Sequence, residues 1–340
     1  MKNNKTIQFA ARAAALAVAA AAGGAHAQSS VTLYGIVDTA VERASNGTGT
    51  SVTRLVAGQG SASRLGFRGT EDLGGGLRAI FNLEAAVNTD NGSGGAAGGG
   101  LMFNRQSWVG LGGSWGQLTL GRQFRPEARA VFGMDPFDAG SVASPPNTYA
   151  NTVFRADNAI VYETPRYGGL VGRVMYAFGE DASGVKRAMD DIGASLQYYA
   201  GPVYLAYGYD SRRNATANDR RTWHSVGGSY DLGAVKLYGA YRVREVGVAN
   251  LDEANYWIGV GVPIGAWTLQ ATVGRVNDKT TANRDAKGYS FGAEYLLSKR
   301  TDLYMRYAKL RNENGATFGL DNGVNGPAPS SFVVGVRHRF

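Results

Sequence analysis

The feature that most constrains this chain is a two-residue alternation of apolar and polar side chains, which recurs from residue 31 to the C terminus. In residues 31–42 the odd positions are mostly apolar, whereas the even positions include Asp38 and Glu42. Successive side chains of a β-strand point to opposite faces, so each such strand has one apolar and one polar face. The alternation therefore predicts strands that separate an apolar from an aqueous environment.

The connections between these strands alternate between short turns and long loops. About 16 strands can be counted, an even number in the range of bacterial transmembrane barrels, which have short turns on one side and long loops on the other. A high glycine count of 49 and a charged fraction of 18% favour a large sheet with many turns over a helical enzyme. The pattern predicts an all-β protein, a 16-stranded antiparallel transmembrane β-barrel.

The first 27 residues have the features of a secretory signal peptide. Lys2, Lys5 and Arg12 accompany an apolar run at 13–22, and Ala25-His26-Ala27 forms a small-x-small cleavage motif. Cleavage near Ala27 would leave residues 28–340 as the barrel and lower the formal charge from +8 to +5. The remaining chain has no Cys and no run of 18 apolar residues, which excludes disulfides and argues against a transmembrane helix.

One long loop, residues 125–150, differs from an ordinary polar loop. It follows a predicted strand at 117–124 and combines Phe132, Met134 and Phe137 with charged residues. Apolar anchors need a surface to pack against, and charges need water or a partner. We therefore expect this loop to fold into the barrel and narrow it.

Short motifs spread along the chain in order carry a resemblance to a known family. They are Ser30-Val31-Thr32-Leu33-Tyr34-Gly35, Ser63-Arg64-Leu65-Gly66-Phe67, Gly69-Thr70-Glu71-Asp72-Leu73-Gly74, Arg105-Gln106-Ser107-Trp108-Val109-Gly110-Leu111, Gly121-Arg122-Gln123, Leu297-Ser298-Lys299-Arg300-Thr301 and Arg337-His338-Arg339-Phe340. The ordered set resembles the general-diffusion porins of Gram-negative outer membranes, of the β-proteobacterial type.

The resemblance implies a homotrimer in the cell outer membrane, in contact with lipid and lipopolysaccharide, that passes small hydrophilic solutes and ions. It implies assembly by the barrel-assembly machinery through the last strand, which ends in Phe340. It also implies that the third loop, 125–150, forms a constriction facing basic residues of the wall. By position in the motifs, the constriction residues are predicted to be Arg64, Arg105, Arg155, Asp135 and Asp138.

Further charged residues are candidates for the lumen: Arg122, Arg125, Arg129, Lys236, Arg242 and Arg244. At three positions the sequence is compatible with two structural roles. Arg105 shares parity with apolar Phe103 and Val109, and Arg122 shares parity with apolar neighbours, so alternation alone leaves lumen and interface open. Asp135 precedes a proline and is also suited to fix a turn. The excess of arginine predicts a weak preference for anions.

Other functions receive less support from the sequence. A substrate-specific channel is the main alternative, and a filled barrel acting as adhesin or anchor is another. An outer-membrane hydrolase would need a nucleophile, a histidine and an acid together, yet only His224 and His338 follow the predicted signal peptide. Dispersed basic residues do not indicate a nucleic-acid partner. No motif for a cofactor or a metal is present, so we predict neither.

Overall fold

The computed structural model describes residues 29–94, 102–150, 152–180, 184–247, 251–320 and 323–340. The predicted signal peptide, 1–27, lies outside these residues, as does part of the long loop near residue 100. Within them are one helix, α1 (Pro126–Phe132), and seventeen strands: β1 (Ser30–Ser45), β2 (Ser51–Ala57), β3 (Arg64–Gly74), β4 (Leu77–Ala86), β5 (Gln106–Gly113), β6 (Gly116–Phe124), β7 (Arg155–Glu163), β8 (Leu170–Ala177), β9 (Asp191–Ala200), β10 (Val203–Arg213), β11 (Arg220–Asp231), β12 (Lys236–Val246), β13 (Leu251–Ile264), β14 (Trp267–Asp278), β15 (Ala286–Leu296), β16 (Thr301–Asn312) and β17 (Ser330–Arg339).

The strands form a closed barrel in which every pairing is antiparallel and β1 pairs with β17. The strands β2 and β3 both pair with β1, beside residues 39–45 and 30–36 respectively. They are therefore two halves of one barrel strand, interrupted at 58–63. This makes the seventeen segments a 16-stranded barrel, which confirms the predicted architecture.

The interruption at 58–63 was not foreseen from the sequence. The abundance of Gly, Ser and Thr in residues 45–60 predicts a loop, and that prediction is wrong because residues 51–57 form β2. The 58–63 insert is held by side chains of other strands: the carboxylate of Asp38 accepts hydrogen bonds from the amides of Gly60 and Ser61 at 3.0 and 2.7 Å. The Arg337 guanidinium donates to the Gly60 carbonyl at 3.0 Å. These contacts fix the start of β3.

Each strand has an apolar face and a polar face, as the alternation predicts. In β1, Leu33 is 55% exposed and Val41 54%, whereas Asp38 is fully buried. In β17, Val334 is 50% exposed and Arg337 4%. Apolar side chains left exposed on one continuous surface are what a barrel presents to lipid.

The connections also follow the predicted asymmetry. The turns that follow β5, β9 and β13 each join their strands within a few residues, whereas β4–β5, β6–β7 and β16–β17 are separated by long loops. The longest connections follow β4, β6, β8 and β16, and an even number of barrel strands separates each of them from the next, so these four loops lie at one end of the barrel. Among the described residues, no helix has the length and apolar character needed to cross a membrane.

The 125–150 segment is the third long connection and packs against the polar faces of β9 to β15. Its helix α1 begins with Pro126, whose fixed φ suits the first turn of a helix. Strand side chains donate to backbone carbonyls of the segment: Tyr204 to Ala130 at 2.6 Å and Trp257 to Met134 at 2.8 Å. The apolar residues expected to need a packing surface therefore have one.

Three buried ion pairs attach the start of the segment to the sheet. The Arg125 guanidinium binds the Asp210 carboxylate at 2.7 Å and also pairs with Asp191. Glu127 accepts from Arg242 at 2.9 Å. Removing one partner of such a pair leaves a buried charge uncompensated, at a cost of about 3–5 kcal/mol.

The middle of the segment is organised by Asp135. Its carboxylate accepts hydrogen bonds from the Ser144 hydroxyl at 2.5 Å and from the amides of Ala139 and Phe137 at 2.9 and 3.2 Å. The side chain is 1% exposed. Burial raises the pKa of Asp135 to about 6, because the three hydrogen bonds offset only part of the desolvation.

The end of the segment requires glycines on two strands. Tyr149 lies over Gly274 and Gly288, where a Cβ would be 2.1 Å from its hydroxyl oxygen and 2.5 Å from its Cε1 respectively. We predict that Gly288→Ala destabilises the folded protein by about 1–3 kcal/mol through overpacking. Denaturant unfolding in detergent micelles measures this. The matched control is Gly239→Ala, whose Cβ would have its nearest neighbour at 4.0 Å; equal stability of the two variants would contradict the packing assignment.

The raised pKa of Asp135 predicts that the segment is held more firmly in acid. A carboxyl whose folded pKa exceeds its unfolded value favours the folded state below the unfolded pKa of 3.8, and this stabilisation is lost as pH rises to about 6. The difference corresponds to about 3 kcal/mol. We expect the protection of the Ala139 amide against hydrogen exchange, corrected for intrinsic rates, to fall between pH 4 and pH 7. In Asp135→Asn this fall should disappear, and protection that rises with pH would refute the assignment.

Candidate functional site

A cavity of about 630 Å³, the first cavity, lies between the 125–150 segment and the opposite wall. Four of the five predicted constriction residues line it: Arg64, Arg105, Arg155 and Asp138. The 58–63 insert contributes Gly58 and Ser61 to the same lining. Residues far apart in sequence are thus brought together at one place.

Arg64 and Arg105 share one carboxylate, that of Glu84 on β4. The Arg105 Nε binds Glu84 Oε1 at 2.7 Å, and the Arg64 Nη1 lies 3.9 Å from Oε2. Tyr34 donates its hydroxyl to Oε2 at 3.0 Å. Arg105 lies at a bend just before the first residue of β5, and its side chain reaches the polar face. Alternation alone could not decide between the two faces, because the residue lies outside the regular strand.

Arg155 has no carboxylate partner among the described residues. Its guanidinium carbon lies 4.5 Å from the centre of the Phe124 ring, and its Nε has no hydrogen-bond acceptor in the described chain. A cation stacked on an aromatic face keeps its outward N–H groups available for another ligand. Four arginines line the cavity, and the fourth, Arg339, is paired with Asp302 at 2.6 Å. The other three have one carboxylate beside them, that of Glu84.

The 125–150 segment supplies the facing side of the first cavity through Asp138, Ser141 and Asn147. Asp138 is exposed and has a positive φ of 55°, a conformation that aspartate tolerates better than most residues. Asp135 does not line the cavity, because its buried carboxylate binds the segment's own backbone. Its contacts match the turn-forming interpretation.

The further lumen candidates fall into three groups. Arg125, Arg242 and Arg244 are paired with carboxylates, the last with Glu253 at 3.2 Å. Arg122 pairs with the exposed Asp157 and lines neither cavity described here. Arg129 and Lys236 line a second cavity of about 440 Å³, next to the short turns after β9 and β11.

Sequence reasoning missed Glu84 and also Arg173, which lines the second cavity. Glu84 lies on the polar face of β4, so its alternation with Leu83 was the available signal. Which arginines Glu84 pairs with depends on the register of β3 with β4 and of β4 with β5. That pairing cannot be read from the residues alone.

His224 and His338, the two histidines among the described residues, provide no catalytic arrangement. His224 Nδ1 is 2.8 Å from the Tyr207 hydroxyl, and His338 Nδ1 is 2.9 Å from the Thr301 hydroxyl. In the part of the chain that the structure describes, no group of three or more His, Cys, Asp or Glu side chains is placed to hold a metal ion.

Comparisons with known proteins agree on one family. A family model described as Gram-negative porin matches residues 13–315. Outer membrane porin protein 32 of Delftia acidovorans is 35% identical, over 96% of this chain and 98% of that protein. Major outer membrane protein P.IB of Neisseria meningitidis serogroup B is 29% identical, over 92% of this chain and 95% of that protein. The solved structure of an anion-selective porin from Comamonas acidovorans superposes with a TM-score of 0.82 at 31% identity, covering 92% of this chain and 100% of that one.

These matches extend over nearly the whole chain and agree with the 16-stranded barrel. They confirm the resemblance drawn from the motifs, the outer-membrane location and the prediction that the chain is a channel protein rather than an enzyme. The chain belongs to the Gram-negative porin family.

Proposed function

We propose that this porin is a general-diffusion channel with a weak preference for anions, set at the first cavity. The observation that carries the proposal is the charge imbalance of the cavity wall. Besides Arg339, which is paired with Asp302, the wall holds Arg64, Arg105 and Arg155 with one carboxylate, Glu84, beside them. Rings of arginine in wet pores favour anions. The similarity to a porin described as anion-selective supports the same conclusion.

We further propose that the 125–150 segment folds into the barrel and forms the constriction. Its hydrogen bonds to polar-face residues of β10, β13 and β14 support this, since the polar faces of a transmembrane barrel line its lumen. Buried ion pairs at Arg125 and Glu127 hold it at one end and Tyr149 at the other. Asp138 then lies across the gap from the arginines.

The mechanism is passive permeation of hydrated solutes. Arginine stays charged at every relevant pH, so the positive wall is permanent. Two unit charges 4 Å apart interact by about 1 kcal/mol in water and about 4 kcal/mol at an effective dielectric constant of 20. A wet constriction lies near the weaker limit, which explains a mild preference instead of exclusion of cations.

The assembled form is proposed from the family and from the last strand. We propose a homotrimer in contact with lipid and lipopolysaccharide, exported after cleavage near Ala27. Phe340 follows β17 directly and exchanges two backbone hydrogen bonds of 3.1 Å with Gly35. A Cβ added to Gly35 would lie 2.3 Å from Cζ of the Phe340 ring, so this contact requires glycine. The barrel-assembly machinery would recognise this strand before it pairs with β1.

The charge assignment predicts the outcome of a reversal-potential measurement in a planar bilayer under a salt gradient. We expect mild anion preference in the native protein, and a fall of up to about fivefold in the anion-to-cation permeability ratio for Arg64→Gln or Arg105→Gln, since about 1 kcal/mol is removed. Arg284→Gln, at an exposed loop arginine, is the control and should change little. A strongly cation-selective native channel would refute the assignment.

The same recordings separate the remaining alternatives. Absence of any current would support a filled barrel that serves as adhesin or anchor. Block of the ion current by one solute at low concentration, without block by similar solutes, would favour a substrate-specific channel. Current that rises in proportion to salt, without saturation, supports general diffusion.

The role of Phe340 predicts a defect in cells that is absent in the test tube. We expect deletion of Phe340 to lower the amount of protein in the outer membrane, while refolding into detergent micelles still yields the barrel, because the β1–β17 pairing remains. Electrophoresis of unheated samples measures the assembled protein in both cases, as a band at the mass of a trimer that shifts to the mass of a monomer on boiling. Val336→Ala, another exposed residue of β17, is the control; normal assembly without Phe340 would exclude the role.

A further inference from the structure

We propose that the second cavity is a separate anion-binding site, which takes small oxyanions such as inorganic phosphate or carboxylates through Arg129, Arg173 and Lys236. The proposal rests on the anion-permeable channel proposed above, because anions must reach the cavity through the barrel. It adds a discrete site on the short-turn side of the 125–150 segment.

Arg129 is the centre of this site. It lies on α1 and lines the second cavity, and among the described residues it makes no ion pair with a carboxylate. Its guanidinium carbon lies 5.5 Å from the centre of the Phe124 ring. The pKa of Arg129 is lowered by burial and by the nearby Arg173, which Glu163 only partly offsets. A bound anion would relieve both effects.

Arg173 lines the second cavity and is held in place through its Nε and Nη1 atoms. Its Nε binds Glu163 Oε2 at 2.5 Å, and its Nη1 donates to the Gln197 side-chain oxygen. The Gln197 side-chain amide donates in turn to the Arg129 carbonyl at 2.9 Å and to the Tyr204 hydroxyl at 2.8 Å. This chain of hydrogen bonds fixes the Arg173 guanidinium relative to the backbone of α1 at Arg129.

The lining chemistry and size fit a small oxyanion. Arg129, Arg173 and Lys236 line the cavity with one carboxylate, Asp231, and with the hydroxyls of Tyr199 and Ser229. Arginine forms paired hydrogen bonds with carboxylate and phosphate oxygens. A volume of about 440 Å³ admits such an anion with part of its water, since one water occupies about 30 Å³ in the liquid.

The second cavity is adjacent to the first. Phe132 lines both, and its ring packs against Phe124 at 5.2 Å and Phe154 at 5.9 Å. Arg155 and Arg129 both stack on the Phe124 ring, one from each cavity. An anion that passes the wall arginines therefore meets a second cationic group on the far side of one aromatic cluster.

A single cysteine in the second cavity tests the proposal directly, because the chain has none of its own. Ser229→Cys is nearly isosteric and lines the cavity. Modification rates of Cys at this position are compared for an anionic sulfonatoethyl and a cationic trimethylammonioethyl methanethiosulfonate. We expect the ratio of the anionic to the cationic modification rate to be about tenfold higher than the same ratio for a free thiol, which corresponds to about 1.4 kcal/mol. Inorganic phosphate should protect the cysteine against modification, and this protection should saturate as the phosphate concentration rises. Chloride at equal ionic strength should not protect in this way.

Two further variants on this background identify the binding group. Arg129→Gln should abolish phosphate protection and reduce the preference for the anionic reagent, whereas Arg129→Lys should retain part of both. Arg64→Gln, in the first cavity, should keep the protection while changing the reversal potential. Absence of modification by the anionic reagent, protection equal to that by chloride, or protection undiminished in Arg129→Gln would each overturn the proposal.

The reversal potential of the Ser229→Cys protein separates this proposal from the channel selectivity on which it rests. An anion-selective channel without phosphate protection rejects the second site alone. Phosphate protection that requires Arg129 in a channel without anion preference rejects the selectivity assigned to the first cavity and retains the site.

Discussion

The constraint on which this structure depends is the satisfaction of backbone hydrogen bonds in lipid. No water is available there to pair with an exposed strand edge, so a sheet can cross a membrane only when its first and last strands pair. Here β1 pairs with β17 over residues 36–45, and the C-terminal Phe340 extends the pairing to Gly35. Because the sheet is closed, its two faces lie in different environments, and each strand must alternate.

Much of the fold could be predicted from this rule, and the predictions that failed did so for a physical reason. Alternation and loop lengths were sufficient to predict 16 strands, because both are local properties. They did not reveal the 58–63 insert, since its stability comes from Asp38 and Arg337, which lie on β1 and β17. A strand that is interrupted by distant partners resembles a loop when it is read alone.

The candidate site shows the same limit more sharply. Motif position indicated Arg64 and Arg105, yet the carboxylate between them is set by strand register and was missed. Arg125 and Arg242 look like lumen charges in the sequence, but each is buried against an acid that attaches the 125–150 segment. A sequence gives the charge of a residue, whereas only the register of remote strands decides whether that charge is already neutralised.

The arginines therefore divide by what they contact. Arg125 and Arg242 contact carboxylates and hold the fold, because a buried cation without a counter-charge would be strongly destabilising. Arg155 and Arg129 contact the Phe124 ring, which stabilises a cation by about 0.5–2 kcal/mol without cancelling its charge. An aromatic partner thus keeps an arginine in a fixed position while its field still acts on a solute. Placing both on one ring, beside two adjacent cavities, supports the proposed path for anions from the first cavity to the second.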